Sequence, residues 1–330
     1  MQVDKPLVSI GIASYNNSKY IIDTLQSINN QTYDNIEIII IDDFSTDNSV
    51  ELVEKWSTES KFPVRFIRNN ENKGVTKVCN IILKSISPSS KYLCLIGSDD
   101  IMLPYRVAMQ VSLLESSTGN NVATFSDMYV INDVGNIINS SYYHFNGENF
   151  DSIISWIKLN RESLIECLIH KNIIPTPSVM YRTDTIKSIG GWDENLSFED
   201  WDMYLRLTEN GFSFLPTNDK LIKYRKHDQS ITRKPDAVYF ESLLKLVTKY
   251  RGISKSIDNA INIKIKQLAV TIYEKRGKNS VKWLVNKFKI TKDFKTAVYI
   301  VCAFLRIPFV VLQKIKHPFE KTGIVKNIFL

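Results

Sequence analysis

Residues 93–104 read LCLIGSDDIMLP, an apolar run that stops at two adjacent aspartates and resumes at once. Neighbouring carboxylates repel and resist burial. A run of this kind therefore ends where something compensates negative charge. Outward from it, the preceding chain alternates strand and helix patterns. LVSIGIA (7–13) and IEIIIID (36–42) are short β-branched runs, and between them SKYIIDTLQSINNQ sets Tyr20, Ile21, Leu25 and Ile28 on one helical face, with Asn17 or Ser18 as its cap. A polar helix over 48–58 and a strand over 64–67 follow, then a helix over 75–86 that leads into the strand 92–96. Continuous apolar runs mark strands buried on both faces, and helical crossovers make their neighbours parallel. The fold class predicted is α/β, with an open, mostly parallel central sheet.

Open sheets of this type bind ligands beyond the carboxyl ends of their strands. Ser14-Tyr15-Asn16, Asp42-Asp43 and Gly97-Ser98-Asp99-Asp100 occupy three such ends and are expected to converge on one crevice. The pattern loosens over 120–179 into mixed strands and one amphipathic stretch. GGWDENLSFEDWDMYLRL (190–207) reads as a glycine turn, an acidic loop and a helix beginning near Glu199. A short strand, a loop and KYRKHDQS complete the region to 231, and from about Tyr239 the chain reads as helical.

Of the 330 residues, 44% are hydrophobic and 23% charged, as in ordinary globular proteins. Net charge is +7, unevenly placed: residues 241–330 hold 19 Lys and Arg against 5 Asp and Glu, and the first 240 hold 23 against 30. A uniformly basic nucleic-acid binder is excluded by that distribution, whereas an acidic catalytic body with a basic anchoring tail fits it. Cys79, Cys94, Cys167 and Cys302 show no zinc or disulfide spacing. MQVDKPLVSI lacks the signature of a secretory leader, so a cytoplasmic protein is expected. In TAVYIVCAFLRIPFVVLQKIK (296–316), Arg306 and Pro308 interrupt an apolar run too short to span a bilayer. The segment fits an amphipathic contact with an anionic membrane, peripheral at the cytoplasmic face of the inner membrane; a helix packed on the body or on a second subunit is the alternative.

VSIGIASYNN, IIIIDDFSTDNS, NKGVTKVCN, GSDD, GGWDE, FEDWDMYLRL and His227, in this order, resemble the inverting family 2 glycosyltransferases of the GT-A fold over residues 6–230. The resemblance implies a GT-A catalytic domain over 1–235, with a nucleotide-binding half to about 105 and an acceptor half beyond it; 236–330 forms a basic helical appendage. It implies a hexosyltransferase-like enzyme taking a UDP-sugar donor and a glycan or lipid-linked acceptor in bacterial surface polysaccharide synthesis. It also implies a divalent cation, Mn2+ or Mg2+, which prefers carboxylate oxygen and often takes only one or two protein carboxylates. Asp100 is the expected ligand and Asp99 the contact to ribose or sugar, the reverse assignment remaining open; His227 reaches the metal or diphosphate. A solvated turn at Asp99-Asp100 and a surface-loop histidine are the plain alternatives. Gly97 departs from the family, standing where many relatives carry an aspartate.

Donor contacts implied by the resemblance are Ala13, Tyr15, Asp43, Lys73, Gly74, Lys77, Ser98 and Asp99. Tyr15 would stack on uracil, unless it merely packs at the core edge. Asp43 would accept from uracil N3–H, which cytosine lacks; Asp42 would shape the turn and Asp47 would cap a helix. Cys79 replaces the arginine common in relatives, leaving Lys73 or Lys77 as the cation there. Asp200 matches the catalytic base, ahead of Glu199 and Asp202, although acids at a helix start also serve as caps. The acceptor side would comprise Gly190, Gly191, Trp192, Glu199 and Trp201, the two tryptophans as sugar platforms or as core. A nucleotidyltransferase is the competing enzyme class, but GIASYNNSKY is neither glycine-rich nor basic. The non-enzyme alternative is an inactive nucleotide-sugar-binding scaffold.

Overall fold

The computed structural model describes residues 5–228 and 237–275. Two compact units divide the chain, 1–230 and 231–330. The first opens with β1 (Leu7–Ser14), α1 (Ile21–Asn29), β2 (Ile36–Asp42), α2 (Ser49–Ser57), β3 (Val64–Arg68), α3 (Val75–Ser85) and β4 (Ser90–Gly97). These strands pair in parallel in the order β4-β1-β2-β3. Ile38, Ile39, Ile40 and Ile41 are all fully buried. Four consecutive buried residues require cover on both faces of the sheet. One face carries α1 and α2 through Ile21, Leu25, Ile28, Val53 and Trp56.

The chain continues through β5 (Ile101–Met102), α4 (Arg106–Ser116), β6 (Asn121–Ser126), β7 (Tyr129–Ile131), β8 (Ile137–Asn139), α5 (Tyr142–Phe145), α6 (Phe150–Ile157) and α7 (Arg161–His170). A 3-10 turn, Thr176–Ser178, precedes β9 (Met180–Arg182), α8 (Thr183–Ser188), α9 (Glu199–Glu209), β10 (Ser213–Thr217) and β11 (Ile222–Arg225). The main sheet runs β10-β6-β9-β4-β1-β2-β3, with β9 antiparallel to both neighbours, and a smaller sheet runs β5-β11-β7-β8. Because β11 pairs with β5, the chain around residue 225 is returned to the end of β4.

The helix cap expected at Asn17 or Ser18 is not formed. Tyr20 occupies that position without a side-chain cap bond. The Asn17 amide instead donates to Ser98 Oγ at 2.6 Å, and the Ser18 N–H donates to Asp47 at 2.9 Å. In the second unit, α10 (Ala237–Thr248) packs with α11 (Lys255–Lys275), burying Leu243, Val247, Ile257 and Ile261. Among the described residues no helix is long and apolar enough to cross a membrane. The segment 296–316 lies outside the described residues.

Candidate active site

The three strand ends converge. Asn16 N–H donates to Ser45 Oγ at 2.9 Å, its side-chain oxygen accepts from Thr46 N–H at 2.8 Å, and Asn17 joins this loop to Ser98 beyond β4. Ala13 lies in register with Ile41 and Gly97, so the ends of β1, β2 and β4 are level.

Asp43 is buried and organises the β3–α3 loop. Its carboxylate accepts from the Asn69 amide at 2.7 Å, Lys73 N–H at 2.9 Å and Gly74 N–H at 2.8 Å. An ionised carboxylate offers about four lone-pair positions, so roughly one acceptor position remains. Lys73 thus contributes its backbone rather than its ammonium at this corner, and Lys77 is exposed on α3. The Tyr15 ring is 46% exposed at the end of β1, available to a planar ligand. Asp42 shapes the turn, accepting from Ser45 N–H at 2.9 Å. It lines a cleft of about 450 Å3 with Phe44, Ser45, Arg68, Asn69 and Asn70. Asn48, not Asp47, is the cap of α2 and makes no side-chain cap bond; Asp47, one residue before it, accepts from Ser49 N–H at 3.0 Å.

Gly97 explains the departure from the family pattern. A Cβ at this position would lie 2.7 Å from Asp99 Oδ1 and 3.4 Å from Asp100 Oδ2. Both carboxylates therefore fold back over the bare glycine, into space that a side chain would fill. Burial, followed by the neighbouring Asp99, pushes the Asp100 carboxyl well above the usual range, against the hydrogen bond from Arg225 N–H. Asp99 is more open, and its Oδ2 lies 2.9 Å from His227 Nε2. His227 is thus a buried partner of the acidic pair rather than a surface-loop residue. The two carboxylates, with His227 beside them, would suit a hard divalent cation, which prefers oxygen ligands and often takes only one or two protein carboxylates. Among the described residues no preformed cage of three or more His, Cys, Asp or Glu ligands exists.

Asp200 sits in the first turn of α9, where two side chains and one backbone N–H hold it. Oδ2 accepts from Thr176 Oγ1 at 2.6 Å and from the Asn172 amide at 2.7 Å, and Oδ1 accepts from Trp201 N–H at 2.7 Å. Burial raises its pKa, and these donors, Thr176 foremost, only partly restrain the rise. The turn bearing Thr176 packs against β4 and β11, the strands that carry Gly97 and lead to His227. Burial, and after it the charges of Tyr224, Asp200, Glu148 and Asp100, raise the pKa of Tyr142.

The remaining expected residues fall differently. Trp192 and Trp201 are both core: Trp192 packs edge-on against Tyr181, and Trp201 Nε1 donates to the Leu168 carbonyl at 2.5 Å. Neither is an open sugar platform, because each indole is buried against its neighbours. Gly190 and Gly191 have φ of +83° and +71°, and a Cβ on Gly191 would lie 2.6 Å from Asn80 Oδ1. The second glycine serves this close approach to α3. Asp202 forms a buried ion pair with Arg206 at 2.7 Å, and Glu199 is partly buried beside Asp200. Cys79 is buried, and burial raises its thiol, so it offers no charge at this position. Asn69, Asn172 and Thr176 lie outside the sequence motifs, and Asn80, the last residue of NKGVTKVCN, carries no role that spacing reveals.

The profile of glycosyl transferase family 2 matches residues 9–178. The chain belongs to glycosyltransferase family 2. An uncharacterized glycosyltransferase of Methanocaldococcus jannaschii is 26% identical over 82% of this chain and 89% of its own length. The UDP-Glc:alpha-D-GlcNAc-diphosphoundecaprenol beta-1,3-glucosyltransferase of Escherichia coli is 27% identical over 68% of this chain and 80% of its own. Among solved structures, Staphylococcus aureus TarS 1–349 in complex with UDP-GlcNAc superposes with a TM-score of 0.55 at 17% identity. That match covers 90% of this chain and 79% of the other. The likeness establishes a GT-A-like fold, and the family makes the protein a glycosyltransferase.

Proposed function

We propose that this glycosyltransferase moves a sugar from a UDP-sugar to a hydroxyl of a glycan or lipid-linked acceptor, with inversion, using Mn2+ or Mg2+ held at Asp99, Asp100 and His227. One observation carries the reading: Asp99 and Asp100 close over Gly97 while His227, 128 positions from Asp99, meets the outer carboxylate at 2.9 Å. When bound, the cation would offset charge on the departing diphosphate. The exposed Tyr15 ring stacks on the base, and the open acceptor position of Asp43 takes the uracil N3–H.

Asp200 is the base. Both lone pairs of Oδ2 are engaged by Thr176 and Asn172, whereas Oδ1 accepts one bond, so Oδ1 takes the acceptor proton. The acceptor oxygen then bonds to the anomeric carbon as the bond from that carbon to phosphate breaks, and UDP leaves. A single displacement inverts the centre. The donor and acceptor classes are supported by the names of the E. coli relative and of the TarS complex.

Thermal unfolding with UDP-, GDP-, CDP- and dTDP-sugars, with and without Mn2+, tests this. Protection is expected from UDP-sugars and is expected to fall on chelation. A preference for CDP-sugars would remove the Asp43 role, and indifference to chelator would remove the metal. The basic tail is proposed to rest on the anionic cytoplasmic membrane face, with the enzyme peripheral there. Truncation after residue 296 should then release the protein from anionic liposomes; undiminished co-sedimentation rules the contact out.

A further inference from the structure

The side chain of Arg225, in the stretch KYRKHDQS, is only 1% exposed, yet its guanidinium has no role in the chemistry above. Three segments meet on it. Its Nε donates to the Asp99 carbonyl at 2.8 Å, and its backbone N–H donates to Asp100 Oδ1 at 2.9 Å. Nη1 donates to the Asp133 carbonyl in the β7–β8 turn at 3.0 Å, and Nη2 pairs with Asp23 on α1 at 2.9 Å. The guanidinium lies over the Tyr20 ring at 4.9 Å, and that ring also packs against His227 at 4.5 Å. The Tyr20 hydroxyl bonds Asp133, closing the circuit.

We propose that Arg225 is a positioning residue that sets the Asp99–His227 pair for the divalent cation. The inference rests on the metal reading above. Three features support it. The residue two positions before His227 holds the backbone of one proposed ligand and the side chain of the next, so the two ends of the cation site share a single rigid support. The guanidinium's fixed fork allows simultaneous donation to Asp99, Asp133 and Asp23, which a single ammonium on a flexible stem does not reproduce. Tyr20, filling the space between guanidinium and imidazole, transmits the position of one to the other.

The test uses the full chain saturated with uridine diphosphate and measures Mn2+ affinity from the paramagnetic resonance of free Mn2+. Loss of a group that orients metal ligands typically costs about ten- to a hundredfold in affinity. Arg225→Lys is expected to weaken Mn2+ by that factor while uridine diphosphate binding without metal is unchanged. Asp99→Asn and His227→Ala provide the benchmark. If those two weaken Mn2+ and Arg225→Lys matches wild type, this inference is wrong and the metal reading stands. If all three match wild type, the metal reading itself fails. An equal loss of metal-free nucleotide binding in Arg225→Lys reduces the residue to general scaffolding and also overturns the inference. Should Arg225→Lys not fold, Asp23→Asn decides: a measurable loss of Mn2+ affinity supports the proposal, and wild-type affinity refutes it.

Discussion

Asp200→Asn is expected to lower kcat by about a hundred- to ten-thousandfold while leaving UDP-sugar affinity near wild type, because a positioned base contributes on that scale. The amide keeps the shape of the carboxylate but cannot take a proton from the acceptor hydroxyl. It also presents a donor where Thr176 and Asn172 now donate. Normal turnover in this variant eliminates the base assignment. The pH profile supplies an independent check. Burial raises the Asp200 pKa, so the rate should rise with pH through a carboxyl limb above the ordinary aspartate range. The base acts only when ionised. Thr176→Val removes the strongest of the donors that favour the ionised form and should move that limb further upward. A limb that stays in place shows that another group titrates.

Asn80→Ala should be the most costly change to stability near the site. The Asn80 amide donates to the Trp192 carbonyl at 2.9 Å and to Glu194 Oε1 at 2.8 Å, while its oxygen accepts from Trp192 N–H at 2.9 Å. Truncation leaves two buried backbone groups without partners, each costing about 1–3 kcal/mol, or about 2–6 kcal/mol together. The thermal midpoint should drop by several degrees. Because residues 190–196 lead into α9, kcat should fall more than donor KM rises. An unchanged midpoint would mean that water replaces the amide without cost.

The central sheet was legible because burial on both faces is written locally. Ile38 to Ile41 admit no amphipathic helix and no half-exposed strand. The acidic strand ends were legible too, since Asp42-Asp43 and Asp99-Asp100 interrupt apolar runs where a carboxyl end must emerge. The tryptophans were not. Nothing in GGWDE or FEDWD distinguishes an indole offered to a sugar from one that closes a core, because the distinction lies in Tyr181 and Leu168, which are remote in sequence.

The sequence alone therefore determined the α/β class, the family and the acids available for chemistry, each being a property of neighbouring residues or of motif order. The tertiary structure decided their employment. It turned Asn17 from a helix cap into a strand-end tie, bent two aspartates over Gly97, and brought Asn172 and Thr176 to Asp200 and Arg225 to the backbone of Asp99. The physical reason is that a hydrogen bond or ion pair acts over about 3 Å whatever the sequence separation. Its partners are chosen by strand order and loop closure, which local periodicity does not encode.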